Sequence, residues 1–314
     1  MLDPQARALL KLIEERGLPP MHTLPADEAR RFYRERRFFT QPEPPAVASV
    51  TDLQADGPAG PIPLRSYRPA HSSAEQALPV LVYFHGGGWT IGDLDTHDVL
   101  CRQLANGAAC AVIAVDYRMG PENRFPAAVD DCFAALRWVH AHAAELMLDP
   151  RRMAVGGDSA GGNLAAVAAI MARDAGAPNL DFQLLIYPAT DQRRGAPSHT
   201  ENAFGYLLEK PTMDYYVGNY IDDARHHTDW RASPLLHTDL KGLPRAFVLT
   251  AGYDPLRDEG LQYAQKLSEA GTPCALVSFP RQIHGFITMG KVIDEANTAV
   301  QLCAAQLRTA FSRA

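Results

Sequence analysis

Met153-Ala154-Val155-Gly156-Gly157-Asp158-Ser159-Ala160-Gly161-Gly162-Asn163-Leu164-Ala165 is the stretch that decides the fold. A short apolar run ends in glycines around a single serine, and a small-residue helical pattern follows at once. Gly157-x-Ser159-x-Gly161 fits a strand-to-helix turn sharp enough to push a serine hydroxyl into the open. Glycines two residues either side are needed because such a turn is strained and its neighbours crowd the serine. An ordinary Gly/Ser turn meets the same pattern by chance in roughly one chain in ten of this length. The meaning of the motif therefore rests on what the remaining chain supplies.

Working outward, apolar runs alternate with helical patterns. Val47–Leu53 and Ile62–Tyr67 read as an antiparallel pair around the turn Gly57-Pro58-x-Gly60-Pro61. Val80–Phe84, Ala111–Val115, Met153–Val155, Phe182–Ile186, Ala246–Thr250 and Ala275–Phe279 follow, with helical patterns near 96–107, 126–143, 160–174, 257–270 and 291–311. Near-continuous apolar strands separated by helices imply an α/β fold with a mostly parallel sheet covered on both faces. The first 45 residues stand apart: two helical stretches, the second (about 26–39) mixing Arg30, Arg31, Arg34, Arg36 and Arg37 with Phe32, Tyr33, Phe38 and Phe39. The arginines read as a solvated helix face, and the aromatics need cover. Residues 190–240 break the alternation and carry Phe204-Gly205-Tyr206-Leu207-Leu208 and Tyr215-Tyr216. The expected organisation is a core of 46–189 and 241–314, with a helical cap from 1–45 and the 190–240 insertion, since ligands of open α/β sheets bind beyond the strands' carboxyl ends.

Bulk properties narrow the function classes. The chain has 314 residues, 46% hydrophobic and 21% charged, with a net charge of −6, which speaks against a nucleic-acid footprint. No apolar run approaches membrane-spanning length, and the start of the chain does not read as a signal peptide. The five cysteines (101, 110, 132, 274, 303) form no CxxC pair, a pattern that fits reduced thiols in a cytoplasm. His226, His227 and Asp229 lack standard ligand spacing, so no metal is expected. With neither a Walker lysine nor GxGxxG, a phosphate-cradling reading of the glycine-rich loops is weak.

A serine hydroxyl is a poor nucleophile at neutral pH and needs a base, itself oriented by an acid. The order serine, acid, histidine is met in the C-terminal third. Asp254 follows Ala246–Thr250 through Ala251-Gly252-Tyr253, at a strand's carboxyl end. Pro255 after it also suits a helix start, so an N-cap role stands beside the catalytic one. Asp258, inside that helix, is the weaker candidate. His284 follows the last apolar run in Gln282-Ile283-His284-Gly285-Phe286. His85-Gly86-Gly87-Gly88-Trp89 follows Val80–Phe84, and three bare glycines can aim backbone N–H groups at one oxygen, as a tetrahedral intermediate requires. The N–H of Ala160, the residue after the serine, is a further donor.

Taken together, these residues resemble the hormone-sensitive-lipase branch of the α/β-hydrolases, the bacterial esterases with HGGG and GDSAG motifs. The resemblance runs through His85–Trp89, Gly92-Asp93, Asp116-Tyr117-Arg118, Pro121-Glu122, Phe125–Ala128, Gly157–Gly162, Glu201–Ala203, Asp254–Asp258 and His284–Phe286. Asn123-Arg124 stands where the family often has His-Pro. The resemblance implies Ser159 as nucleophile, His284 as base, Asp254 as orienting acid and Gly86, Gly87 and Ala160 as oxyanion donors. It also implies a cofactor-free carboxylesterase acting on short- to medium-chain acyl esters. Asp158 reads as a local hydrogen-bonding residue. Amide, carbamate or lactone hydrolysis would use the same triad. A ligand-binding receptor on this fold would be expected to lack a triad member, and all three are present. An exposed last strand near 274–279 suggests a homodimer paired edge to edge.

Overall fold

The apolar runs are strands because β-branched and aromatic residues fit a pleated surface buried on both sides. The computed structural model describes residues 1–312. Its strands are β1 (Ser49–Ala55), β2 (Ile62–Arg68), β3 (Leu78–Phe84), β4 (Ala111–Val115), β5 (Leu148–Asp158), β6 (Phe182–Ile186), β7 (Arg245–Tyr253) and β8 (Cys274–Ile283). They form one sheet in the order β1-β2-β4-β3-β5-β6-β7-β8. β2 pairs antiparallel with β1 and with β4, and every other pairing is parallel. Several strands run past their apolar core: β7 continues to Tyr253 and β8 to Ile283. Ladder hydrogen bonds belong to the backbone, so pairing can outlast the hydrophobic pattern.

The helices are α1 (Pro4–Glu15), α2 (Ala26–Thr40), α3 (Asp98–Ala108), α4 (Ala127–Ala141), α5 (Ala160–Ala175), α6 (Ser198–Glu201), α7 (Lys210–Tyr220), α8 (Arg257–Glu269) and α9 (Asp294–Phe311). Alternate strand residues face opposite sides. Val80, Val82 and Phe84 of β3 belong to the core layer shared with α4, α5 and α8, while Leu81 and Tyr83 belong to the opposite layer, shared with α3 and α9. Each such fully buried side chain contributes about 1.5–3 kcal/mol by leaving water. Among the described residues, no helix is long and apolar enough to cross a membrane.

The two segments outside the alternating pattern are tied to this body by polar contacts. The Asp3 N–H donates to the Arg281 carbonyl (2.9 Å), and the Asp3 carboxylate caps α1 by accepting from the Gln5 N–H (2.8 Å). The insertion starts on α8, where the buried Glu259 accepts from the Thr190 N–H (2.6 Å) and lies 2.6 Å from His199 Nε2. Arg31 of α2 is exposed as expected, but Arg30 and Arg34 depart from a simply solvated face. Arg30 donates to the Thr90 carbonyl (2.8 Å), the Gly120 carbonyl (2.7 Å) and both Glu122 oxygens (2.9 and 2.6 Å). Arg34 pairs with Asp93 (2.6 Å). The helical period places Arg30 and Arg34 on one face, and local sequence does not say that this face meets carbonyls.

Candidate active site

Parallel strands end at the same edge of the sheet, so residues following β3, β5, β7 and β8 converge there. The turn after β5 holds Ser159 at φ 57°, ψ −117°, a conformation L-residues avoid. The surrounding glycines explain how it is held. A Cβ on Gly161 would collide with the Phe84 carbonyl, and one on Gly157 with the backbone of Gly161. α5 can therefore start directly against β3. The Ser159 N–H donates to the Ile186 carbonyl (2.8 Å), which locks the turn onto β6.

Asp254 follows β7 and is fully buried. One carboxylate oxygen accepts from the Leu256 N–H (2.8 Å), closing the turn before α8, and the other lies 2.7 Å from His284 Nδ1; the cap residue of α8 is Leu256, so the orienting reading of Asp254 holds and the N-cap reading does not. The Asn202 amide of the insertion steadies the same loop through the Asp254 carbonyl (3.1 Å). His284 follows β8 and places Nε2 at 2.9 Å from Ser159 Oγ. The structure thus brings Ser159, Asp254 and His284 into one hydrogen-bonded line. Asp258 turns away: it accepts from the Ser198 N–H (2.8 Å) and from Arg257 (2.7 Å).

The glycine loop corrects one expectation. The Gly86 N–H donates to Asp158 Oδ1 (3.0 Å) and is already engaged, so it is not a free donor. The N–H groups of Gly87 and Gly88 have no acceptor among the described residues, and both residues line the same cavity as Ser159 and His284. Their φ values of 119° and 60° explain the need for glycine there. The Ala160 N–H is free as well, as the first amides of a helix are. The free trio is Gly87, Gly88 and Ala160. Three successive glycines signal a donor loop, but the sequence does not number the ones left free.

Asp158 is the anchor beneath this loop. It also accepts from the Tyr83 hydroxyl (2.7 Å), and His97 Nε2 lies 3.2 Å from its Oδ1. Burial alone would raise its pKa, but His97 and the Tyr83 hydroxyl hold it below its ordinary value. His85 stacks on Tyr117 with ring centroids 4.4 Å apart, and its Nδ1 lies 2.8 Å from the Gly86 carbonyl. Burial, with His97 nearby, pushes His85 down to about 4. Tyr83 and His97 were not among the residues singled out in the sequence, since nothing local marks them as partners of Asp158.

The cavity above Ser159 measures about 1210 Å³ and takes its walls from both outlying segments, including Phe32 and Tyr33 of α2 and Met213, Tyr216 and Val217 of α7. Of the other aromatics, Tyr206 lines the cavity, whereas Phe38 is exposed to solvent. His226, His227 and Asp229 address separate partners: Asp222, the Gln192 carbonyl and Arg231. Among the described residues, no group of three potential ligands gathers to hold a metal.

Comparison with known proteins agrees with this geometry. The alpha/beta hydrolase fold family matches residues 81–288. The carboxylic ester hydrolase LipN of Mycobacterium tuberculosis is 41% identical over 99% of this chain and 84% of its own length. An ethyl acetate hydrolase of Pseudomonas putida is 39% identical over 94% of this chain and 95% of its own. The solved structure of an ester hydrolase from the metagenome of Lake Arreo, bound to a bipyridine phosphonate derivative, superposes with a TM-score of 0.96. It is 45% identical, covering 99% of this chain and 100% of that one.

Proposed function

The chain belongs to the alpha/beta hydrolase fold family and is a carboxylic ester hydrolase, and from that premise we propose that Ser159, His284 and Asp254 are its catalytic residues and that short- to medium-chain acyl esters are its substrates. The observation that carries the assignment is His284, which bridges Asp254 (2.7 Å) and Ser159 Oγ (2.9 Å) below a wall of unengaged amides. Ser159 Oγ attacks the acyl carbonyl while His284 Nε2 takes its proton, and Asp254 stabilises the imidazolium through Nδ1. The amides of Gly87, Gly88 and Ala160 donate to the oxyanion as it forms. His284 returns the proton to the departing alcohol, leaving an acyl-serine. Water, deprotonated by His284, then attacks the acyl carbon, and the acid leaves as Oγ regains its proton.

The Ser159 conformation supports this reading, because a strained nucleophile aimed away from the backbone is what such a turn exists to present. The 1–45 and 190–240 segments act as the cap that sets acyl selectivity. The ethyl acetate hydrolase among the relatives supports the short-chain end of the range. A cytoplasmic location is supported by five free cysteines, four of them buried. β8 is an edge strand with Ala275, Leu276 and Ser278 exposed, which supports pairing of two copies through it.

The test is hydrolysis of a chromogenic ester series by wild type and Ser159→Ala. The variant should lose roughly 10⁴- to 10⁶-fold in kcat while keeping its fold. Wild-type turnover by the variant would remove Ser159 from the mechanism. The chain length of maximal kcat/KM measures the acyl pocket.

A further inference from the structure

The arginines of α2 do three different things. Arg30 and Arg34 grip the body through Glu122 and Asp93, and Arg37, which also lines the cavity, donates to the Arg34 carbonyl (2.6 Å). Arg36 is different. It is half-buried, lines the cavity that Ser159 and His284 line, and has no carboxylate or hydrogen-bond partner among the described residues. Its guanidinium carbon sits 4.9 Å from the Phe32 ring centroid, which supports the plane of the group but leaves its N–H edge free. Its neighbours are phenols: Tyr33 and Tyr216 line the same cavity. Tyr216 in turn lies directly on the glycine loop, since a Cβ on Gly88 would run into its ring. The unpaired cation is therefore about one side-chain layer from the free amides.

The buried carboxylates of this cavity are already taken. Asp158 serves Gly86 and Tyr83, Asp191 pairs with Arg193, and Glu259 is held by His199 and the Thr190 N–H. A guanidinium partly stripped of water, flanked by hydroxyl donors and lacking a protein anion, lacks the counter-charge that burial calls for. Its five donors in a planar fork match a carboxylate in two-point contact.

We propose that Arg36, with Tyr33 and Tyr216 beside it, binds a free carboxylate on the substrate, and that the enzyme prefers esters carrying a second, ionised carboxyl group. This deepens the hydrolase reading above and rests on it. The anion belongs to the acyl part in monoesters of dicarboxylic acids, and to the alcohol part in acylated hydroxy acids. Neither case adds a covalent step: Arg36 holds the remote carboxylate while Ser159 attacks the ester carbonyl.

Two matched pairs of esters test it and separate the sources. Mono-nitrophenyl adipate against nitrophenyl hexanoate places the charge on the acyl side. 4-Acetoxybenzoate against phenyl acetate places it on the alcohol side. In one pair, Arg36→Gln should raise KM for the anionic ester roughly 10- to 100-fold, the range of one charge-assisted hydrogen-bond pair. kcat should hold, and the neutral ester should change no more than about two-fold. Arg36→Lys should restore part of the loss, and added salt should raise KM for the anionic ester in wild type alone. Equal effects on charged and neutral esters, or no effect on either pair, overturn the proposal. Failure of wild type to cleave any of the four esters, charged or neutral, would instead overturn the hydrolase reading. In that event calorimetric binding of hexanoate, weakened about ten-fold by Arg36→Gln, decides the anion site alone, and equal binding overturns it.

Discussion

Asp158→Asn tests how the glycine loop is aimed. The carboxylate accepts from the Tyr83 hydroxyl (2.7 Å) and the Gly86 N–H (3.0 Å), with His97 Nε2 3.2 Å away, in a fully enclosed setting. Asparagine keeps one acceptor oxygen and turns an NH₂ toward at least one of these donors. One contact is lost, another becomes repulsive, and the local charge vanishes. Breaking a buried charged pair costs about 3–5 kcal/mol, which for a chain of this length should lower the unfolding temperature by roughly 4–8 °C. The kinetic effect is separate. If Asp158 holds Gly86 so that Gly87 and Gly88 point at the oxyanion, its loss removes up to one donor, about 2.7–4 kcal/mol or 10²- to 10³-fold in kcat. KM should barely move, because the oxyanion exists only beyond the ground state. The assay pairs thermal unfolding with steady-state hydrolysis of nitrophenyl butyrate below the variant's transition. Tyr83→Phe, which removes one hydrogen bond and leaves Gly86 in place, should cost less on both scales. A folded Asp158→Asn with wild-type kcat would refute the aiming role, and a loss residing in KM would point to substrate binding instead.

Three further outcomes follow. Ser159→Gly should abolish activity yet stabilise the protein by about 1–3 kcal/mol, because glycine accepts the φ of 57° without strain; an unfolding midpoint no higher than wild type would contradict a strained turn. Asp254→Asn should cut kcat by roughly 10⁴-fold through the wrong imidazole tautomer, a result that steady-state kinetics on a short-chain ester would reveal. His85 is held down to about 4 against an ordinary histidine value of 6.5. The unfolded chain therefore binds its proton first as pH falls, and the native state is fully favoured above about 6.5 and progressively disfavoured toward 4. The loss is about 3 kcal/mol across that window. Asp116, pushed up to about 6 by burial and Asp93, acts with the opposite sign there, so the measurement is urea unfolding of wild type against His85→Gln at pH 7 and 4.5. An equal acid destabilisation in both proteins would exclude His85 as its source.

Much of the proposed reaction was legible in the sequence. Ser159, Asp254 and His284 each follow an apolar run, and a parallel sheet brings such positions to one edge whatever the details of packing. The expected strands and helices also stand where the patterns put them, because strands covered on both faces are apolar throughout and helices keep their period. The outlying segments were less legible. Five arginines on α2 look alike in sequence, yet Arg30 and Arg34 clamp the body and Arg36 faces the cavity.

The sequence by itself pointed to the proposed chemistry: a serine on a glycine-flanked turn, its proposed acid and base in order, and a loop of bare amides. Only the tertiary structure decided which amides remain free. Gly86 loses its N–H to Asp158, 72 residues away, while Gly87 and Gly88 keep theirs. Every backbone N–H carries the same donor whatever its side chain, so its availability depends on the acceptors that folding brings beside it. Residue types and spacing are local properties. The pairing of a hydrogen-bond donor is a property of the assembled fold.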